Sequence, residues 1–297
     1  MPYTEDVRAY LTETHGIRHA GLCPEVTPCP VPSPRRGAPW RQTATEVIEA
    51  RSKSQRIYAC ACVCRAFILV TPISTHTAKR PTVIFSHGNA EDLGPNQMYA
   101  QMLANMMDAD VLAYDYVNYG LSSRAITTER NMQQAVEAVF NVAIYDLCIP
   151  ANRIVLYGKS IGTAPTLYLA AQRCADEILG VIVVAPLASG IRALMHTTYI
   201  PNTLLKQLDR AFCPSIEYIE KIRRPVFIIH GLEDTVIEVE NGRFLHNKLN
   251  SLSHYPALWV HAGHNDIEEK CRATLMAKIP AFLEYAKRNR GGEEKVD

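Results

Sequence analysis

The chain has no apolar run long enough to cross a bilayer: the longest uncharged apolar stretch, residues 178–188, falls well short of the roughly 18 residues a spanning helix needs. Any membrane contact expected is therefore peripheral. It also lacks an excess of charge of either sign, since 31 Lys and Arg against 30 Asp and Glu leave a net +1. That balance excludes a global field suited to nucleic acid, so small-molecule or peptide chemistry is the expectation. Neither a G-x-x-x-x-G-K-[ST] loop nor a dinucleotide fingerprint occurs, and no nucleotide, nicotinamide or other cofactor is expected. The N-terminal MPYTEDVRAY places acids where a signal peptide needs an apolar run, and the nine cysteines are odd in number. These features predict a reduced, cytoplasmic chain without a disulfide framework. The cysteine set carries no metal expectation either. Cys60, Cys62 and Cys64, spaced by two on a strand, would lie about 6.6 Å apart along one face, which suits small strand hydrophobes better than a shared zinc.

What is present is enough apolar sequence, 47% of 297 residues, for one large α/β domain. Residues 1–44 hold Pro2, Pro24, Pro28, Pro30, Pro32, Pro34 and Pro39 with little periodic pattern, and are read as an irregular segment. From about Thr45 the sequence becomes strand-like, and 46–51 with 58–70 predict an antiparallel pair. Strands and helices then alternate. Strands are expected at 82–86, 111–115, 154–157, 181–185, 226–230 and 258–260, with helices at 95–108 and from a Thr128 cap through Met132, Val136, Val139, Phe140, Ala143, Ile144 and Leu147. This succession predicts a mainly parallel twisted sheet with helices on both faces, covering 45–288. Residues 185–222 are set between two strands and carry Met195, Tyr199, Ile200, Leu204 and Leu205, which predicts a small cap-like insertion. It would either form an acyl-chain groove or pack on the core. Residues 289–297 form a charged tail.

The chemistry centres on Gly158-Lys159-Ser160-Ile161-Gly162, a G-x-S-x-G stretch lying between the strand candidate at 154–157 and a helix candidate at 161–172. A sharp strand-to-helix turn exposes the serine hydroxyl, and Gly158 and Gly162 remove side chains where the two elements meet. Ser160 is thus the candidate nucleophile, with the backbone N–H of Ile161 as an oxyanion donor. A serine needs a base, and the base needs an orienting acid. Asp234 follows the strand at 226–230, with Glu233 as its neighbouring alternative; His264 follows the strand at 258–260, with His261 as the competitor at the strand end. The order Ser160, Asp234, His264 is that of α/β-hydrolases. A second oxyanion donor is expected after the third strand, where Ser86-His87-Gly88-Asn89-Ala90 offers the N–H of Asn89, with Ala90 as its helper, Gly88 permitting close approach and His87 shaping the loop.

Six blocks, FSHGNAEDLG, YDYVNYGLSS, LYGKSIGTAPT, APLASGIR, VFIIHGLEDTVI and ALWVHAGHNDIE, resemble the alpha/beta hydrolase domain-containing protein 17 family, whose wider group includes S33-type serine peptidases. The resemblance implies the α/β-hydrolase fold, a triad of Ser160, Asp234 and His264, and removal of long-chain acyl groups from protein cysteines as the leading activity. An acylated protein, or a small acyl ester or thioester, would be the substrate partner. A carboxylesterase or lipase, an S33-like peptidase, and a non-catalytic binding protein of the same fold are the alternatives. The family's dense N-terminal cysteine cluster is reduced here to Cys23 and Cys29, the candidates for S-acylation. Lys159 replaces the family's usual glutamine, and His261 an acidic residue. Both add positive potential near the mouth, which would favour acidic peptides; a solvated lysine beside an unrelated carboxylate is the other reading.

Overall fold

A computed structural model describes residues 45–52, 55–60, 66–70, 80–120, 122, 125–194 and 202–289. The irregular segment expected over 1–44, including Cys23 and Cys29, and the tail over 290–297 lie outside these residues. Nine strands form one sheet in the order β1-β2-β3-β5-β4-β6-β7-β8-β9. β1 (Thr45–Ser52), β2 (Gln55–Cys60) and β3 (Ala66–Val70) are antiparallel, and β3 runs antiparallel to β5 (Asp110–Tyr114). The expected antiparallel pair is thus a three-stranded meander. The stretch at 58–70 is divided between β2 and β3; Cys60 ends β2, and Cys62 and Cys64 lie outside the described residues.

The remaining strands are parallel: β5, β4 (Thr82–Ser86), β6 (Ile154–Lys159), β7 (Gly180–Val184), β8 (Val226–Gly231) and β9 (Leu258–Val260). Their side chains alternate between two apolar layers, as the two-residue period of a strand requires. Ile84, Leu156, Val181, Val183 and Ile228 join one layer, and Val83, Phe85, Val155, Tyr157, Ile182 and Phe227 the other. Both faces being covered, the strands read as continuous apolar runs in the sequence.

The first layer is closed by α2 (Glu129–Asn141) and α3 (Thr163–Ala170), and the second by α1 (Leu93–Met107) and the C-terminal helix over Arg272–Arg288. Asp92 caps α1 by accepting from Gly94 N–H at 2.9 Å, so the helix starts two residues before its expected position. Thr128 caps α2 reciprocally with Asn131, whose side chain returns to the cap backbone. The stripe of Met132, Val136, Val139 and Phe140 is buried against the sheet as expected, but beyond Asn141 the chain widens into a π-helical turn, Val142–Asp146.

Three short helices, α4 (Gly190–Leu194), α5 (Asn202–Asp209) and α6 (Ser215–Tyr218), follow β7 over the expected cap. There Leu205 is buried and Leu204 exposed, whereas Met195, Tyr199 and Ile200 lie outside the described residues. Arg192 makes a two-pronged ion pair with buried Asp209, at 2.9 and 3.0 Å, tying α4 to α5. α7 (Val239–Asn247), α8 (Ile267–Lys270) and α9 (Arg272–Arg288) complete the chain.

Phe282 of α9 is fully buried, stacked on Phe227 of β8 at 5.4 Å and edge-on to Tyr255 at 5.0 Å. Phe282→Ala removes both contacts and leaves a cavity that the rigid sheet cannot close. It should destabilise the fold by about 3–5 kcal/mol, read from the midpoint of denaturant unfolding.

Candidate functional site

Because β4, β6, β8 and β9 are parallel, the loops that leave them all emerge at one edge of the sheet. Ser86 pairs with Gly158, so the loop after β4 and the turn after β6 lie side by side. β4 sits between β5 and β6, which places this pair where the chain's winding reverses.

Ser160 occupies the left-handed region at φ 53°, between β6 and α3, with a single 3-10 turn over Ser160–Gly162. A non-glycine residue there costs on the order of 1–3 kcal/mol, which the surroundings must offset. They do so by close packing. A Cβ on Gly162 would stand 2.1 Å from the Ser86 carbonyl oxygen, and one on Gly158 would meet the Gly162 oxygen at 2.7 Å and the Thr163 Cα at 2.8 Å. Thr163 Oγ1 donates to the Ser160 carbonyl at 2.7 Å, and Thr166 Oγ1 to that of Gly162 at 2.8 Å. The turn can therefore exist only with glycine at both flanking positions.

His264 joins Ser160 and Asp234. Its Nε2 lies 2.8 Å from Ser160 Oγ, and its Nδ1 lies 2.7 Å from Asp234 Oδ2. The loops carrying Asp234 and His264 are laced together past the ends of β8 and β9, by Leu232 N–H to the Val260 carbonyl at 2.8 Å and Glu233 N–H to that of Ala262 at 3.0 Å. Asp266 Oδ1 accepts from Gly263 N–H at 2.6 Å and braces the residue before His264.

The Asp234 carboxylate is buried, and its Oδ1 accepts from Val236 N–H at 2.9 Å and Ile237 N–H at 2.8 Å. Burial alone would raise its pKa. Hydrogen bonds from His230, His264 and the Ile237 backbone outweigh burial and hold the carboxyl well below the usual carboxylate range. The alternatives considered for acid and base are elsewhere: Glu233 and His261 face each other at 3.5 Å with both side chains largely in solvent.

Asn89 and Ala90 lie in the loop beside the turn, with Ala90 at φ 56°. Tyr119 Oη donates to Asn89 Oδ1 at 2.6 Å, so Asn89 is held through its side chain. Gly88 N–H donates to Glu91 at 3.1 Å. His87 is fully buried against Tyr116 at 4.4 Å between ring centroids, and Tyr116 Oη donates to the His87 carbonyl at 2.8 Å, so His87 anchors the loop from below. Tyr119 was missed in the sequence; its only signal there is its place between Asn118 and Gly120, two residues whose positive φ marks a tight turn.

Lys159 is not solvated. Its side chain is only 10% exposed, and Nζ lies 3.4 Å from Glu268 Oε2 and 4.9 Å from the centroid of Tyr99. Tyr99 Oη donates to Glu268 Oε1 at 2.6 Å and lies 2.9 Å from Tyr157 Oη. Burial and the adjacent Glu268 raise the phenol pKa values of both tyrosines, so they remain donors. The positive charge of Lys159 is therefore spent on Glu268 behind the turn, and no free cation is offered to substrate. Glu268 was also missed, since nothing in its spacing from Lys159 marks a pair 109 residues apart.

The model of the alpha/beta hydrolase fold matches residues 81–212. Alpha/beta hydrolase domain-containing protein 17C of Xenopus tropicalis is 35% identical over 249 residues, spanning 84% of this chain and 74% of the relative. The human 17B protein is 37% identical over 218 residues, 73% and 68% of the two chains. Among solved structures, the monoacylglycerol lipase of Paleococcus ferrophilus superposes with a TM-score of 0.52 at 19% identity, covering 73% of this chain and 96% of its own. A soluble variant of the Saccharomyces cerevisiae monoglyceride lipase gives 0.53 at 17% identity, covering 74% and 92%. At such identities these two show the α/β-hydrolase fold.

Lys159→Met leaves Glu268 buried without its counter-charge and should cost about 3–5 kcal/mol in denaturant unfolding, whereas Lys159→Met with Glu268→Gln should recover much of the loss. A double variant as unstable as the single one would remove the ion pair from this account.

Proposed function

The chain belongs to the alpha/beta hydrolase domain-containing protein 17 family, and on that premise we propose that it is a serine hydrolase acting through Ser160, His264 and Asp234, with a long-chain acyl thioester of a protein cysteine as substrate. The observation that carries this reading is the continuous path from Asp234 Oδ2 through both ring nitrogens of His264 to Ser160 Oγ, at 2.7 and 2.8 Å. In the proposed reaction His264 Nε2 takes the Ser160 proton as Oγ attacks the acyl carbonyl. Asp234, ionised because its carboxyl is held low, stabilises the resulting imidazolium. The oxyanion is received by the backbone N–H groups of Ile161 and Asn89. The tetrahedral intermediate collapses with loss of the cysteine thiolate, which takes the proton from His264 and leaves as a thiol. Water, deprotonated by the same nitrogen, then attacks the acyl-enzyme, and the fatty acid and Ser160 are released. No step calls for a metal or cofactor.

The apolar surroundings of the turn support a hydrocarbon substrate. Ile161, whose side chain is half-buried, packs with Ala164, Leu187, Cys213 and Ile237, and Val236 beside Asp234 is exposed. Thioester, oxyester and amide all fit the same triad, so the substrate class is decided by rates. Ser160→Ala should abolish labelling by a fluorophosphonate probe and lower kcat by roughly 10⁶, and Asp234→Asn by about 10⁴. Equal labelling of wild type and Ser160→Ala would overturn the enzyme reading and favour a binding protein of this fold. Across a matched palmitoyl series, kcat/KM should be highest for the thioester of a cysteinyl peptide; a faster oxyester would assign a carboxylesterase or lipase, and a faster amide a peptidase.

Among the described residues no helix is long and apolar enough to cross a membrane, so the proposed route to a membrane-bound substrate is peripheral, through acyl chains on Cys23 and Cys29. One chain binds a bilayer only marginally, whereas two anchor stably. Replacing both cysteines with serine should move the protein from the membrane to the soluble fraction of a cell lysate, and unchanged fractionation would rule out this anchor.

A further inference from the structure

Asp234 is shared by two histidines. His230, the penultimate residue of β8, is completely buried, and its Nε2 stands 2.8 Å from the Ile237 carbonyl oxygen and 3.3 Å from Asp234 Oδ2, the same oxygen that His264 Nδ1 engages. Two acceptors face Nε2, so that nitrogen carries the hydrogen. Nδ1 is buried without a hydrogen-bond partner and lies against Gly242, where an added Cβ would come within 2.5 Å of it. A proton on Nδ1 would be a buried donor with nothing to receive it. The geometry fixes His230 as the neutral Nε2–H form, making a three-centre bond that is shorter to the carbonyl and longer to the carboxylate.

We propose that His230 is a positioning residue that acts through Asp234 and sets the acid limb of the activity profile, by withdrawing charge from the carboxylate oxygen that faces the catalytic base. This rests on the triad reading above. Every lone-pair direction on Asp234 that matters is then occupied: Oδ1 by two backbone N–H groups, Oδ2 by two imidazoles. The bond to the Ile237 carbonyl also closes the turn whose Val236 and Ile237 amides hold Oδ1, so one ring orients the acid and tunes it. A carboxylate that accepts fewer bonds keeps more charge for its remaining donor, and that charge favours the imidazolium over the neutral base.

Among the described residues, no other charged group is seen to compete for this role on His230's side. Its neighbours from α7 and β9 are Gly242 and the Trp259 ring, with Arg243 stacked 6.0 Å above that ring and His246 edge-on to it at 6.2 Å. On the side of His264, Glu233 is matched by His261 at the exposed rim, and Asp266 by Lys270 at 2.7 Å.

Glutamine and methionine have similar size, and only glutamine can present a donor near the position of Nε2. The test is therefore the rate of fluorophosphonate labelling of Ser160 between pH 5 and pH 9 in wild type, His230→Gln and His230→Met. The pH of half-maximal rate should move up by about 0.5–1 unit in His230→Met and stay near the wild-type value in His230→Gln. A lowered rate with an unmoved midpoint in His230→Met would overturn the proposal while leaving the triad intact; absence of Ser160-dependent labelling in the wild type would instead overturn the triad. A measurement on the unaltered protein guards against a variant that fails to fold: imidazole ¹⁵N resonances of the wild type at pH 8 should show His230 with hydrogen on Nε2 and a bare Nδ1. A hydrogen on Nδ1 would overturn the proposal without recourse to any variant.

Discussion

The backbone of Ser160 turns through the left-handed region at the point where the Gly162 Cα passes within touching distance of the Ser86 carbonyl. That approach is possible because β4 and β6 are adjacent parallel strands, with Ser86 directly beside Gly158. The strain at Ser160 is thus stored in the sheet itself, since relieving it would require separating two central strands buried on both faces. The same contact brings the loop of His87, Gly88 and Asn89 against the nucleophile turn, so the serine and its proposed oxyanion donors are positioned by one packing constraint. Thr163 and Thr166, both buried, tie the first turn of α3 back onto the elbow and prevent the helix from pulling away.

The second half of the site depends on electrostatics within a frame of backbone hydrogen bonds. A carboxylate taken out of water loses its hydration, and Asp234 recovers the loss through two amides and two imidazoles. Those donors come from its own turn, from β8 and from the loop after β9, so the acid also joins three segments. Lys159 and Glu268 work in parallel on the opposite side of the sheet edge. Their ion pair links the residue before Ser160 to the helix just past His264, with Tyr99 donating to Glu268's other oxygen and Tyr157 in turn paired with Tyr99. A buried ion pair of this kind contributes little net stability, but its geometry resists relative motion of the two loops.

The parallel sheet was legible because its strands are short uninterrupted apolar runs, a pattern that two-sided burial imposes. The turn at Ser160 was legible because glycine is the only residue its neighbours permit. Asp234 and His264 followed from chain order, and the choice of His264 over His261 rested on its place beyond Gly263, free of the strand. The meander was less legible: 58–70 is rich in strand formers throughout, and no glycine or proline marks the change from β2 to β3. The burial of Lys159 could not be read at all. A lysine beside a catalytic serine suggests a charged mouth, and only the fold reveals a carboxylate 109 residues away that draws it inward. His230 lay hidden for a similar reason: at the end of an apolar strand it reads as core, and the role proposed for it arises only once the chain turns back at Ile237.

Ile161 connects the chemistry to the choice of substrate. On the proposed reading its backbone N–H receives the oxyanion, while its side chain belongs to the apolar cluster formed with Ala164, Leu187, Cys213 and Ile237. Leu187 and Cys213 come from the insertion after β7, and Ile237 from the turn that holds Asp234. An acyl chain lying against the exposed side of Ile161 would press on the residue proposed to stabilise its own tetrahedral intermediate and, through this buried cluster, on the turn that holds Asp234. Hydrocarbon binding far from the scissile bond would then be felt as improved alignment in the transition state, raising kcat and not merely lowering KM. On the proposed reading, a site arranged in this way would reward a long chain over a short one without any polar contact to the chain itself.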